Sequence, residues 1–129
     1  MNKRKKVLLL LVVLIFSWVS IALAGTYSDE VFESVVVSLS STKTATFTAD
    51  TYLRQNSIKV IVVRLYRQYG NSWTFTGYLP VPTNEATNAL YYGAIMDYSS
   101  YIGTGTYRIL ATFTADGHSI SRYSNTITY

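Results

Sequence analysis

The chain contains one histidine, His118, which directly follows the dipeptide Asp116-Gly117. A histidine can act as a general base when a nucleophile and an orienting acid lie beside it. Asp116 and several serines are near in the sequence. Asp116-Gly117 is, however, a strong signal for a hairpin turn, and the tip of a hairpin has no pocket that excludes water. The sequence therefore predicts that His118 is a solvated turn residue rather than a catalytic one.

The acidic residues are not arranged as in a hydrolase. A glycosidase needs two carboxylates on opposite sides of a cleft, and a small domain with short loops has little room for such a cleft. The sequence has no calcium loop, no glycine-rich phosphate loop and no zinc-ligand spacing. We therefore expect no catalytic residue, no cofactor and no metal. The carboxylates form a cluster near residue 30 and are otherwise dispersed: Asp29, Glu30, Glu33, Asp50, Glu85, Asp97 and Asp116.

Tyrosine is the most abundant residue type that could bind a partner. All 12 tyrosines and Trp73 follow residue 24. Such rings combine apolar area with a polar edge, and they are common in antibody paratopes and in sugar-binding surfaces. Tyr69, Trp73 and Tyr78 lie on or beside one predicted hairpin, so we expect them to form an exposed contact surface for a protein or a glycan. The alternative is that these rings pack only as cross-strand pairs on a sheet.

The beginning of the chain has the pattern of a secretory signal peptide. Basic residues at 3–6 precede an apolar run that ends in the small-x-small sequence Ala22-Leu23-Ala24. We expect cleavage after Ala24, a flexible tail at 25–30 and a secreted, extracellular domain at 31–129. The alternative is an uncleaved membrane anchor, because the apolar stretch approaches the length of a spanning helix.

Removal of the signal peptide changes the charge of the protein. Of the 11 basic residues, the four at 3–6 are lost, and the seven that remain equal the seven acidic residues in number. Because a neutral domain has no basic stripe to neutralise phosphates, we expect no nucleic-acid partner. The chain also has no cysteine, which excludes disulfide scaffolds, thiolate metal sites and cysteine nucleophiles.

Alternation of apolar and polar residues with a period of two dominates from Val31 onward and predicts strands. Turn signals at Gly70-Asn71-Ser72, Pro80 and Asp116-Gly117 separate these strands. An all-β domain with seven short strands and no helix between them is expected to be an antiparallel β-sandwich. The predicted strands are 35–39, 44–49, 58–69, 73–79, 89–98, 106–115 and 119–129.

The hexamer ATFTAD occurs twice, at 45–50 and at 111–116. The residues that follow the two copies share no identity, so the chain does not contain a duplicated module. In an immunoglobulin-type sandwich the second and sixth strands face each other across the core. We therefore expect Phe47 and Phe113 to pack together in one interior.

Gly105-Thr106-Tyr107-Arg108-Ile109 resembles the tyrosine-corner signature of immunoglobulin and fibronectin type III domains. Residues 31–129 are also similar to small secreted single-domain proteins of unknown function from Gram-positive bacteria. The matching segments are Tyr69–Trp73, Gly105–Ile109 and Ser124–Thr128. The resemblance implies an immunoglobulin- or fibronectin III-like fold but no particular chemistry. It also implies that the hydroxyl of Tyr107, the structural tyrosine, bonds to a backbone group.

A covalent cross-link is a further chemistry that the residue types allow. Some Gram-positive surface domains join a lysine to an asparagine on the last strand with the help of an acid, and so need no disulfide. Lys59 lies in an apolar segment, Asn125 lies in the last predicted strand, and Asp97 is a candidate acid. A lysine at the surface of a strand explains the same residues more simply, because charged residues are rarely buried unpaired. Both interpretations remain open from the sequence.

These observations predict a non-catalytic secreted interaction or adhesion module, and they do not identify its ligand. The first alternative is a carbohydrate-binding module of the cell envelope that uses stacked tyrosines. The second is a subunit that assembles by β-strand addition, because 119–129 is a predicted strand at the end of the sequence. We expect contact with a membrane only if the signal peptide is retained.

Overall fold

The computed structural model describes residues 30–129, so the predicted signal peptide and nearly all of the predicted tail lie outside the described part. The described part is all-β, with 72% of its residues in strands. Seven strands form a single antiparallel sheet. They are β1 (Phe32–Leu39), β2 (Thr44–Tyr69), β3 (Ser72–Leu79), β4 (Ala86–Asp97), β5 (Thr106–Ala115), β6 (His118–Tyr123) and β7 (Ile127–Thr128).

The sheet is organised around β2, which is 26 residues long. The first part of β2 pairs with β1 up to Thr51 and with β4 up to Ile58, with an irregularity in the β4 pairing between Asp50 and Gln55. The last part, from Ile58 onward, pairs with β5 and, from Val63, with β3. Both β6 and β7 then pair with β5. One long strand therefore connects two parts of the sheet that have different neighbours.

β2 curls over the interior, and this gives the sheet the shape of a half-barrel. Val60 of β2 pairs with Phe113 of β5, and Phe47 lies on the same strand as Val60. If β2 were straight, Phe47 and Val60 would be roughly 40 Å apart at the rise of a β-strand. The ring centroids of Phe47 and Phe113 are instead 6.4 Å apart. The two parts of the sheet therefore face each other across one core.

The inner face of the curled sheet forms that core. Along β5, every second residue from Tyr107 to Ala115 is buried, and the residues between them are partly exposed. Phe47 and Phe113 are fully buried and meet edge to face, which confirms the predicted contact between the two hexamers. The ring of Tyr92 in β4 also packs against Phe113. Burial of each such ring stabilises the fold by roughly 1.5–3 kcal/mol.

The number of strands agrees with the sequence prediction, but two boundaries were predicted wrongly. The segments 44–49 and 58–69 belong to one continuous β2, and 119–129 is divided into β6 and β7. The residues at 51–57 include neither glycine nor proline, so no residue there forces the strand to end. The last segment divides at Ser124, which is buried and binds the backbone of β5.

The hairpin between β5 and β6 closes at the predicted turn. Asp116 and Gly117 have φ angles of +46° and +86°, as a two-residue type I′ turn requires. The Asp116 carboxylate accepts hydrogen bonds from the backbone N–H groups of Asn56 at 2.7 Å and Ser57 at 3.0 Å. This acid therefore ties the hairpin to the middle of β2.

The side chain of Asn125 joins the end of the chain to β1. Its Oδ1 accepts a hydrogen bond from the N–H of Leu39 at 2.8 Å, and its Nδ2 donates to the carbonyl of Leu39 at 3.0 Å. A side-chain amide has the same donor and acceptor as a backbone amide, so Asn125 binds β1 as a neighbouring strand would. Ser124 binds the backbone of Ile109 in β5 through its own N–H at 2.8 Å and its Oγ at 2.9 Å. The Ser124–Thr128 motif thus has a structural role.

Candidate functional site

The outward side of β3, β5, β6 and the last part of β2 carries a continuous group of rings and arginines. The strand register places Tyr66 beside Phe75 and Arg108, and Arg64 beside Tyr78. We call this surface the aromatic–arginine face. It consists of Arg64, Tyr66, Trp73, Phe75, Tyr78, Arg108 and Tyr123.

Arg108 lies at the centre of the aromatic–arginine face, between two rings. Its guanidinium carbon is 4.2 Å from the ring centroid of Trp73 and 4.0 Å from that of Tyr123. A cation–π contact at an exposed site contributes about 0.5–1 kcal/mol. The Nε of Arg108 is buried and has no hydrogen-bond partner within residues 30–129. The two rings therefore hold the guanidinium in place.

The other rings extend from this centre towards β3. Tyr66 contacts Phe75 and Tyr123, with centroids 5.8 Å and 5.9 Å apart. Phe75 and Tyr78 are 5.2 Å apart, and the guanidinium of Arg64 lies 5.8 Å from the Tyr78 ring. Tilted and edge-to-face arrangements such as these are favourable. Phe75 and Tyr78 nevertheless remain 44% and 67% exposed, so the packing leaves aromatic area in contact with solvent.

The predicted cluster of Tyr69, Trp73 and Tyr78 does not form a single surface. Tyr69 pairs with Ser72, the residue before Trp73, and successive residues of a strand point to opposite faces. Trp73 and Tyr78 would also point to opposite faces in a regular strand. A bulge next to Phe75 restores them to the same face, because it adds one residue to β3.

Sequence reasoning missed most members of the aromatic–arginine face. The sequence does contain part of the information. Arg64 and Tyr66 are two residues apart in β2, so they lie on one face, and Arg108 alternates with buried residues in β5, so it lies on the outward face. Alternation shows which residues share a face of one strand. It does not show that β5 lies between β2 and β6, and that order brings Arg108 between Trp73 and Tyr123.

The aromatic–arginine face is positively charged. Lys59, Arg64 and Arg108 occupy outward positions, and no acidic residue does so in this part of the described sheet. The carboxylates within residues 30–129 lie in or near β1, in the first part of β2, at the end of β4, and in loops and turns. They are Glu30, Glu33, Asp50, Glu85, Asp97 and Asp116. A domain with a balanced total charge therefore has a strongly uneven charge distribution.

A cleft of about 410 Å³ opens beside this surface, on the inward side of β2 and β3. We call it the end cleft. Its walls include Leu65, Arg67, Tyr69, Tyr101 and Tyr107, and Arg67 is the single charged residue among its lining residues in the described part. Tyr69, which the sequence grouped with Trp73, lies here.

Two buried tyrosines bond to backbone carbonyl groups. The hydroxyl of Tyr107 donates to the carbonyl of Thr104 at 3.3 Å, which is the type of contact that the tyrosine-corner resemblance implied. The hydroxyl of Tyr98 donates to the carbonyl of Pro80 at 2.6 Å. The shorter distance is near the optimum for this type of bond. Burial, with a smaller contribution from the neighbouring Tyr92, raises the pKa of Tyr98 far above its ordinary value.

The three residues of the suggested cross-link have separate surroundings. Lys59 is exposed on the outward side of β2. Both polar atoms of the Asn125 amide are bonded to Leu39. The Asp97 carboxylate accepts a hydrogen bond from the N–H of Ser99 at 2.9 Å, and bonding to Ser99 lowers the pKa of Asp97. This geometry agrees with the simpler interpretation of a surface lysine.

His118 begins β6 directly after the turn and is half-buried. No group of three or more histidine, aspartate or glutamate residues within 30–129 is arranged to hold a metal ion. Residues 30–129 contain no helix that is long and apolar enough to cross a membrane.

No protein-family model, characterised protein or solved structure matches this chain significantly. Its function must therefore be inferred from the geometry, charge and chemistry of its own side chains.

Proposed function

We propose that the protein is a non-catalytic, exported interaction module that binds an acidic surface of a partner protein through the aromatic–arginine face. The observation that carries this proposal is the position of Arg108 between Trp73 and Tyr123, at the centre of a face without acidic residues. Tryptophan, tyrosine and arginine are the residues most enriched in binding hot spots. The N-terminal pattern of basic, apolar and small residues supports export.

The arrangement of the rings favours a protein partner over a glycan. A sugar-binding platform uses aromatic faces that are open to solvent. One face of each of the two central rings, Trp73 and Tyr123, is already covered by the guanidinium of Arg108. Ring edges, hydroxyl groups and guanidinium groups are therefore available at the surface, and these groups suit the carboxylates and polar atoms of an acidic protein surface.

The proposal also includes the fold type of the domain. We infer an immunoglobulin- or fibronectin III-like arrangement, supported by the Tyr107 bond to an upstream carbonyl and by the facing pair Phe47 and Phe113. Assembly by addition of the last strand has less support. That segment is already bonded to β5 through β6 and β7, and to β1 through Asn125.

Selection of peptides from a phage-displayed random library on the purified exported protein tests the proposed function. We expect enrichment of peptides rich in aspartate and glutamate, with binding that weakens as salt is raised. Arg108→Ala should weaken binding of the selected peptides by about tenfold or more, because it removes a central arginine. Binding would be measured with synthetic peptides by calorimetry.

Arg54→Ala provides a charge-matched control. Arg54 is exposed at the junction of the two parts of β2, outside the aromatic–arginine face, and bonds to the carbonyl of Asn88. This variant should retain peptide binding. Selection of peptides without acidic residues, bound equally by Arg108→Ala, would contradict the proposal. Glycan-array binding that is lost in Trp73→Ala would favour the carbohydrate-binding alternative instead.

A further inference from the structure

We infer that the end cleft is a second binding site, for a small carboxylic acid with an apolar body. In this site the carboxylate binds Arg67, and the apolar body packs against the exposed ring of Tyr101, above the buried Leu65 and Leu79. Among the described residues that line it, the end cleft shares only Tyr78 with the aromatic–arginine face. The carboxylate site at Arg67 does not rest on the function proposed for that face.

Arg67 is the first reason for this inference. Its guanidinium carbon lies 4.9 Å from the ring centroid of Tyr69 and 5.7 Å from that of Tyr107. Its Nε is buried and has no hydrogen-bond partner within residues 30–129. A guanidinium carries five N–H donors, and the two rings attract its charge without providing a strong acceptor. Arg67 is thus a partly buried cation without a matching anion among the described residues that line the cleft.

The position of Arg67 is set by the backbone of Gly105. A Cβ atom at Gly105 would lie 2.8 Å from Nε of Arg67, so the guanidinium can occupy this place only because the residue is glycine. The φ angle of Gly105 is +138°, which side-chain-bearing residues rarely adopt. Gly105 thus leaves room for the guanidinium, and the rings of Tyr69 and Tyr107 hold it there before any ligand arrives. Such pre-organisation favours binding.

The walls of the end cleft define the class of ligand. Its volume of about 410 Å³ lies within the range of small-molecule sites. A carboxylate matches the planar fork of a guanidinium. Leu65 and Leu79 are buried apolar residues in the wall, and the ring of Tyr101 is 54% exposed. An apolar acid uses both features, whereas an inorganic anion uses only the arginine.

Titration of the ¹⁵N-labelled protein with benzoate, followed by NMR, tests this site. Benzoate should shift the Nε–H signal of Arg67 and the backbone amides of Gly77 and Tyr101. Benzyl alcohol has the same ring without the charge and should bind at least tenfold more weakly. Inorganic phosphate should also bind more weakly than benzoate, because it cannot use the apolar wall.

Arg67→Gln should weaken benzoate binding about tenfold or more, whereas the charge-matched control Arg54→Gln should retain it. If Arg67→Gln does not fold, Arg67→Lys and Tyr101→Ala decide the question, and each should weaken binding. Equal binding of benzoate and benzyl alcohol, or of benzoate and phosphate, would overturn the assignment. Shifts confined to Arg108 and its neighbours, or the absence of any shift because only water occupies the cleft, would also overturn it.

Discussion

The two parts of the curled sheet have similar inner faces and very different outer faces. On β1 and the first part of β2, the outward residues are mainly serine and threonine, and on the part of β4 paired with them they are Tyr91, Gly93, Ile95 and Asp97. Thr46 lies between Ser38 and Ile95, and Thr48 lies between Val36 and Gly93. On the other part of the sheet, the corresponding outward positions carry the rings and cations of the aromatic–arginine face.

This difference separates the requirements of the fold from those of binding. Both outer faces cover the same core, and both belong to strands with the same alternation. Threonine is favoured on a half-exposed sheet face because its β-branched side chain suits the strand conformation. The first part of the sheet therefore shows that the fold does not require seven aromatic and arginine residues on an outer face. Their concentration on the second part is better explained by binding.

The largest effects that we predict are losses of stability from the shared core, to which the inner faces of both parts of the sheet should contribute equally. Phe47→Ala and Phe113→Ala should each lower the free energy of unfolding by about 3–5 kcal/mol, because each empties a fully buried position. Urea denaturation followed by fluorescence would measure both changes. The double variant should lose less than the sum of the two, since the rings are in contact. A loss below about 1 kcal/mol for either ring would show that the two parts do not share one core.

The two buried tyrosines that bond to backbone carbonyls, Tyr98 and Tyr107, should differ in how much their hydroxyl groups stabilise the fold. Tyr98→Phe should cost about 1–1.5 kcal/mol, because it leaves the Pro80 carbonyl without a bond of 2.6 Å. Tyr107→Phe should cost only about 0.5 kcal/mol, because its bond to Thr104 is 3.3 Å long. Thermal melting of the two variants beside the parent protein would measure the difference. A larger loss for Tyr107→Phe would reverse the ranking of the two tyrosines.

Alkaline pH provides a second measurement of the same tyrosines. The pKa of Tyr98 in the folded protein is raised above its value in the unfolded chain, mainly by burial. Its contribution is therefore fully present below about pH 10 and is lost as the pH rises above that value, by about 1.4 kcal/mol per pH unit. Burial also raises the pKa of Tyr92 and Tyr129. In Tyr98→Phe the decline should be shallower but still present, and an unchanged slope would contradict the assignment to Tyr98.

The outer faces should show the smallest effects on stability. Arg108→Ala should cost about 1 kcal/mol, because it removes contacts with the rings of Trp73 and Tyr123 but also removes a buried, unpaired Nε. Ile95→Ala, at a position that is 70% exposed on the other outer face, should change stability by no more than about 0.5 kcal/mol. Chemical denaturation of both variants would measure this. Equal losses would remove the energetic distinction between the faces.

Local features were predictable because they depend on neighbouring residues. The alternation in β5 predicts which of its residues are buried, and the structure has the same pattern. Asp116-Gly117 predicts a two-residue hairpin turn, and both residues have positive φ angles. The contact between Phe47 and Phe113 was also predicted, from the facing positions of the second and sixth strands in an immunoglobulin-type sandwich, and the two rings are in contact.

Features that depend on how the strands pair in the folded protein were not predictable in this way. The bulge in β3 reverses the side to which Tyr78 points, and one extra residue leaves no clear mark on composition. The sequence allows Asn125 as a cross-linking residue, but its amide binds Leu39, 86 positions away in the chain. A hydrogen bond between residues so distant in the chain exists only when the sheet has folded.

The order of amino acids is sufficient to establish the strand-forming period, the hairpin turns and the residues that must avoid water, because these follow from backbone geometry and hydrophobicity over a few residues. Only the folded arrangement determines that β2 serves both parts of the sheet and that β5 lies between β2 and β6. These long-range pairings bring Arg108 between two rings and separate Tyr69 from Trp73. Surface chemistry in a sheet depends on which strands are neighbours, and strand order is a property of the whole fold.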